Sequence, residues 1–326
     1  MSAPLPIGVI GVGALGRHHA RHLSTLEGVR LVGVHDTHPG RAEEVAKDLG
    51  TRAFPDLDRL LGQVEAVTVA VPTRAHAAVG LRALGRGVPV LMEKPLAATL
   101  DEADALLAAA RRARVQLQVG HIERYNRALR AAEAYLDGAR YIESQRLAPF
   151  QPRGTDVAVV LDLMIHDLDL VLRLTGGAEA TEVRAAGLSV LSPHLDLANA
   201  RVEFADGAVA QVTASRVARE RIRKLRLFQP NGYLSLDLAS GGGEFMRLRP
   251  DWKPGTGAQL SDVVERIVLE APEADALRLE LESFVHAVRG ERAAVVTGEE
   301  GRAALALALR VADAVRTTPL VAPAAG

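Results

Sequence analysis

Apolar residues along this chain follow two rhythms. Up to residue 121, short runs apolar on both faces (Leu5–Ile10, Val29–His35, Ala66–Val71, Pro89–Met92, Gln116–Gly120) alternate with helical periods at Ala14–Leu26, Arg41–Leu49, His76–Arg86 and Leu100–Ala113. Valine-rich runs of this length without in–out alternation predict strands covered on both sides, as in a parallel sheet with helical crossovers. Thr99 and Glu102 form a capping box that starts the last of these helices. From residue 122 the rhythm changes. Asn126–Leu136 and Val159–Thr175 read as helices, and the period then falls to two over Val183–Ser189, Leu197–Phe204, Ala208–Arg216, Arg223–Gln229, Tyr233–Leu238 and Phe245–Arg249. Asp206-Gly207 and Asn231-Gly232 are hairpin signals. Helices near Asp275–Arg289 and Glu299–Arg316 follow. The pattern predicts two α/β domains, residues 1–121 with a doubly wound parallel sheet and 122–326 with a mainly antiparallel one. The second sheet needs cover on both faces, and another copy of the chain can supply one of them, which predicts a homodimer or homotetramer.

Chemistry enters first at Gly11-Val12-Gly13-Ala14-Leu15-Gly16, directly behind the first strand. In the Rossmann arrangement the first glycine makes the tight turn, the second lets a pyrophosphate approach the backbone, and the third lets helix and strand pack closely. The following helix then aims its N–H groups at the phosphates. Asp36 ends the second strand, where a carboxylate can accept both hydroxyls of an adenosine ribose and repel a 2′-phosphate. This predicts NAD, while Arg41 nearby keeps NADP open.

Composition excludes more than it identifies. The 326 residues suffice for two cores, and 39 basic against 40 acidic residues give no electrostatic reason to expect nucleic acid. The absence of cysteine rules out disulfides, thiolate zinc sites and a cysteine nucleophile. No apolar run has membrane-spanning length and no leader pattern precedes the first strand, so a cytoplasmic enzyme is expected.

Ligands of a doubly wound sheet bind beyond the carboxyl ends of its strands. There lie Val71-Pro72-Thr73 with His76, and Glu93-Lys94-Pro95, in a chain that has only four lysines. Pro95 confines Lys94 to an extended backbone. A lysine held beside a nicotinamide cation suits proton relay, the alternative being an ordinary surface lysine. Farther on, Asp162, His166 and Asp169 share one face of an otherwise aliphatic helix. A histidine among carboxylates suits a general base for an alcohol. A core hydrogen-bond cluster and a metal site are the alternatives, with no further ligand pattern to support a metal. Arg124, Arg153 and Arg216 are candidates for a diphosphate, or ordinary ion-pair arginines. Tyr125 packs over a nicotinamide or fills core.

The glycine turn, Asp36, Glu93-Lys94-Pro95 and the Asp162/His166 pair together resemble the glucose–fructose oxidoreductase / inositol dehydrogenase / MocA family over essentially the whole chain. The resemblance implies a Rossmann domain followed by an α/β domain with an open sheet that often mediates oligomers. It implies oxidation or reduction of a sugar or cyclitol hydroxyl with a nicotinamide cofactor, with Lys94, Asp162 and His166 at the positions of the family's catalytic lysine, aspartate and histidine. It also implies cofactor contacts at Gly11, Gly13, Ala14, Leu15, Gly16, Asp36, Pro72, Thr73, His76, Glu93 and Lys94. Arg74 departs from the asparagine many relatives carry after the Pro-Thr step. Gly120-His121-Ile122-Glu123-Arg124-Tyr125-Asn126, Val159–Leu170 and Thr213-Ala214-Ser215-Arg216 resemble the branch containing UDP-N-acetylglucosamine 3-dehydrogenases. Other expectations are a polyol or another small molecule as substrate, or a regulator that senses NAD without chemistry.

Overall fold

A computed structural model describes residues 3–151, 157–250, 252–253 and 259–317. The first sheet contains β1 (Leu5–Ile10), β2 (Val29–His35), β3 (Arg52–Ala53), β4 (Ala66–Val69), β5 (Val90–Glu93) and β6 (Leu117–Gly120) in the order β3-β2-β1-β4-β5-β6. Every pairing is parallel. The crossovers are α1 (Ala14–Thr25), α2 (Pro39–Asp48), α3 (Leu57–Leu61), α4 (His76–Gly85) and α5 (Leu100–Ala113). All six strands therefore point the same way, and the turns after β1, β2, β4, β5 and β6 line one edge. β4 and β5 are buried almost throughout, which is why their sequences lack alternation. Thr99 caps α5 as expected, its Oγ1 accepting from the Glu102 N–H, but the Glu102 carboxylate accepts from the N–H of Ala98, one residue before the cap, and not from that of Thr99.

Packing divides the chain differently from a cut at residue 121. The first unit takes in residues up to Arg124 and also Ala274–Leu305; the second takes in Tyr125–Glu273 and the residues from Ala306 on. Beyond the short α8 (Leu260–Val263), the chain returns to the first unit through α9 (Ala276–Val288), whose Leu281, Phe284 and Val285 join the core formed by Ile7, Val9, Ala20 and Leu23. Helical period shows that α9 has an apolar face, but not which core receives it.

The second sheet has eight strands. β7 (Tyr141–Leu147), β8 (Ala180–Leu188), β9 (Leu197–Phe204), β10 (Val209–Ser215), β11 (Ile222–Gln229), β12 (Gly232–Asp237), β13 (Gly242–Leu248) and β14 (Val264–Leu269) lie in the order β14-β13-β12-β11-β7-β10-β9-β8. All pairings are antiparallel except β7 with β10. Both hairpin signals hold: Asp206-Gly207 joins β9 to β10, with φ +84° at Gly207, and Asn231-Gly232 joins β11 to β12. Sequence periodicity misses β7 because its inward residues are Ile142, Ser144 and Arg146, two of them polar. The expected helix Asn126–Leu136 is shorter: α6 (Arg127–Ala132) ends in a 3₁₀ turn over Glu133–Tyr135.

Candidate active site

The turn after β1 is shaped by its glycines. Gly11 has φ +81°, and a Cβ there would lie 2.7 Å from the Ala70 carbonyl oxygen. A Cβ on Gly16 would lie 1.8 Å from the Gly11 oxygen, so helix and turn meet with no room for a methyl group. A Cβ on Gly13 would meet nothing within 4 Å. Gly13 is thus spared a side chain for something other than the protein's own packing. It caps α1 without any side-chain hydrogen bond, α1 has no acidic residue in its first turn, and Ala14 and Leu15 are exposed. Such a cradle of backbone donors fits a pyrophosphate.

Asp36 is buried and accepts from the N–H groups of Val12 and His38 at 2.9 and 2.8 Å, with Arg41 Nη1 at 3.3 Å. Burial pushes its carboxyl up, but the two N–H bonds and the Arg41 charge outweigh that and hold it below the ordinary carboxylate range. The ionised carboxylate is tied to the glycine turn itself through Val12, and Arg41 leans on Asp36. This donor set fits the ribose of NAD.

The next two turns are fixed to each other. Pro72 is exposed and Thr73 half-buried, whereas His76 is buried, with Nδ1 2.8 Å from the Pro95 carbonyl and Nε2 2.9 Å from that of Val71. Burial draws the His76 pKa down, against the pull of both carbonyls and of Glu93. Both ring nitrogens are spent on backbone, so His76 ties the β4 turn to the β5 turn and does not present itself to a cofactor, contrary to expectation. Glu93 is also committed: its Oε1 accepts from His19 Nε2 at 2.8 Å and its Oε2 from the Lys94 N–H at 3.3 Å. Burial raises the Glu93 carboxyl, while the hydrogen bond from His19 and the Lys94 charge bring it below the ordinary range. Lys94 itself is half-buried, and its peptide bond to Pro95 is cis.

In the second unit, Asp162 and His166 are not on one uniform α-helix. Val160–Met164 form a π turn and α7 (Ile165–Leu174) follows. The wider turn changes the pitch where Asp162 sits, and such bulges are frequent at functional sites. Asp162 and His166 are half-buried, whereas Asp169 is buried. Between them lies a carboxylate with a different job. Asp167, 1% exposed, accepts from Arg146 Nε at 2.7 Å, Arg146 Nη2 at 3.1 Å and Ser144 Oγ at 2.8 Å. This two-pronged pair anchors the first turn of α7, and with it His166, to β7. Sequence reasoning missed it because Arg146 lies in the strand that period two failed to reveal.

The arginines expected at a diphosphate divide. Arg216 is buried, with Nε on Asp196 Oδ1 at 2.8 Å, Nη1 on the Val157 carbonyl, and Nη2 on Ser192 Oγ and the Leu195 carbonyl. Asp196 in turn accepts the N–H groups of Val190, Leu191 and Ser192. Arg216 therefore fastens the 190–196 loop and is not a substrate ligand. Arg124 is buried too, with Nη1 3.2 Å from Glu300 Oε1. Arg153 lies outside the described residues. Tyr125 is buried in the 3₁₀ turn Ile122–Tyr125. Among the described residues, no helix is long and apolar enough to cross a membrane.

Comparison with known proteins places these features in context. Residues 5–121 match an oxidoreductase family with an NAD-binding Rossmann fold, and residues 129–235 match the GFO/IDH/MocA C-terminal domain. A UDP-N-acetylglucosamine 3-dehydrogenase from Acidithiobacillus ferrooxidans is 41% identical over 309 residues, 94% of this chain and 96% of that one. Its solved structure superposes with a TM-score of 0.89, covering 97% of this chain and 98% of the other. A scyllo-inositol 2-dehydrogenase (NAD(+)) from Bacillus subtilis is 31% identical over 229 residues, 64% of this chain and 67% of that one.

Proposed function

The chain belongs to the glucose–fructose oxidoreductase / inositol dehydrogenase / MocA family of NAD-binding oxidoreductases, and on that premise we propose that it oxidises UDP-N-acetylglucosamine to the 3-keto nucleotide sugar. The observation that carries this reading is the near full-length identity to the Acidithiobacillus enzyme, extending through both units.

NAD⁺, when bound, supplies the hydride acceptor. Gly11, Gly13 and Gly16 would cradle its pyrophosphate, and Asp36 would hold its adenosine ribose. His166, helped by Lys94, takes the proton from the substrate hydroxyl, and Asp162 orients the hydroxyl or the imidazole. Acid–base help of this kind is worth roughly 10²–10⁴-fold in rate. Lys94→Ala and His166→Ala should each lower kcat by that order and leave NAD affinity nearly unchanged, as read by stopped-flow turnover and calorimetric titration. Near-normal turnover in both variants refutes the assignment.

The outward face of the second sheet supports a homo-oligomer. Phe228 is 45% exposed and packs between Tyr141, edge-on, and Tyr233, tilted, with centroids 5.9 and 4.7 Å away, and Val268 is 62% exposed on the same face. Sedimentation that gives a monomer at micromolar concentration overturns that part.

The test of substrate is absorbance in the reduced-nicotinamide band with UDP-N-acetylglucosamine, myo-inositol and free sugars side by side, with an amine trap for the ketone. Signal with the nucleotide sugar alone supports the reading. Signal with a polyol keeps the family and discards the substrate.

A further inference from the structure

Beneath the β5 turn lies a group of buried ionisable side chains that the reaction as described does not use. His19 on α1 is 1% exposed; its Nε2 binds Glu93, while its Nδ1 is enclosed with no hydrogen-bond partner among the described residues. Glu280 on α9 is also 1% exposed, and neither carboxyl oxygen has a partner among the described residues. The two helices pack together in one core, since Ala20 and Leu23 of α1 and Leu281 and Phe284 of α9 belong to the same cluster. Burial, reinforced by the nearby Glu93 charge, raises the Glu280 carboxyl well above its ordinary value and so favours its protonated, O–H-donating form. An orphaned donor and an orphaned acceptor are thus enclosed in one core, beside the carboxylate that precedes Lys94.

We propose that Glu280 and His19 are positioning residues for Glu93 and Lys94, joined as Glu280 O–H to an enclosed water, water to His19 Nδ1, and His19 Nε2–H to Glu93 Oε1. An enclosed water needs several polar partners, and these groups supply them. The chain of bonds selects one tautomer of His19, with its proton on Nε2, and so keeps a donor aimed at Glu93. Glu93 then stays ionised and fixed while its other oxygen holds the Lys94 N–H. The chain carries one net negative charge, facing the Lys94 ammonium and His76. Carrying an unpartnered carboxyl in a core weakens the fold, as expected where stability has been exchanged for a functional arrangement.

The proposal rests on the oxidoreductase reading for its kinetic arm and on spectroscopy for an arm that does not. Glu280→Leu, which fills the site with apolar volume, should melt at the same or a higher temperature. Its kcat should fall on the order of tenfold, the low end for residues that orient others. The acid limb of its kcat/KM profile should move to higher pH, because Glu93, facing His19, Lys94, His76 and Glu280, protonates more readily once His19 is misdirected. Glu280→Gln, which keeps a donor, should recover most of the lost kcat and return the acid limb. A folded Glu280→Leu variant with wild-type kcat and pH profile overturns the proposal. Independently of turnover, difference infrared spectra should show a protonated-carboxyl stretch that Glu280→Gln abolishes and His19→Leu shifts. A band that is absent, or insensitive to His19, overturns the proposal even if no tested substrate reacts.

Discussion

Replacing Arg146 with methionine removes the guanidinium from Asp167 and leaves the carboxylate, 1% exposed, with only Ser144 Oγ from the bonds it accepts on β7. Methionine fills similar length but offers no donor. Breaking one side of a buried ion pair costs about 3–5 kcal/mol, since the remaining charge keeps its desolvation penalty and loses its compensation. For a unit of this size each kcal/mol is worth roughly 2–4 °C in Tm, so the expected loss is about 6–20 °C. Calorimetric melts and urea titrations of Arg146→Met, Asp167→Leu and the double variant measure it. The double variant should recover much of the loss, because neither charge then needs a partner. Turnover of Arg146→Met should fall well below its melting transition, because the bidentate pair sets the first turn of α7, where His166 sits. A single variant costing under about 1 kcal/mol, or a double variant as unstable as the sum of the singles, refutes the claim that this pair anchors the helix.

Gly16 and Gly13 should separate cleanly. Gly16→Ala puts a methyl 1.8 Å from the Gly11 oxygen and should lower Tm, whereas Gly13→Ala meets nothing within 4 Å and should leave Tm unchanged while weakening NAD binding. The Gly13→Ala loss is about tenfold, as expected for drawing an anion away from a helix N-terminus worth up to ~2 kcal/mol; unchanged affinity in calorimetry removes the pyrophosphate from this turn. Asp36→Ala abolishes the negative charge and releases Arg41, so the NAD-to-NADP ratio of Kd values should move toward NADP by about tenfold or more, for a charge contact worth roughly 1–4 kcal/mol. Asp196 has its folded pKa depressed: burial opposes this, but Ser192, Arg216 and the loop N–H groups outweigh it. A depressed carboxylate stabilises above its unfolded pKa, near the model-compound 3.8, and loses that contribution as pH falls toward the folded value. The stability gap between wild type and Asp196→Asn in urea melts should therefore be largest at neutral pH and smaller at about pH 3; a gap that widens with acid contradicts the assignment.

The sequence by itself determined whatever depends on neighbours a few positions apart. Strand and helix period, the two Gly-containing hairpins, the Thr99 cap and the glycine turn ending at Gly16 are local, since backbone sterics and side-chain spacing fix them before any distant contact forms. Asp36 and Lys94 were legible for the same reason, each standing at the end of a strand whose direction the pattern already gave. The tertiary structure alone decided which side chains became anchors. Arg216 looks like a phosphate ligand in sequence, yet it closes on Asp196 because β9 and β10 pair in the register that brings them together. His76 looks like a cofactor contact, yet two backbone carbonyls claim it. Arg146 with Asp167, and His19 with Glu93, are separated by 21 and 74 residues. No local period carries information across such gaps: the cost of burying a charge selects a partner only after the core has closed around it.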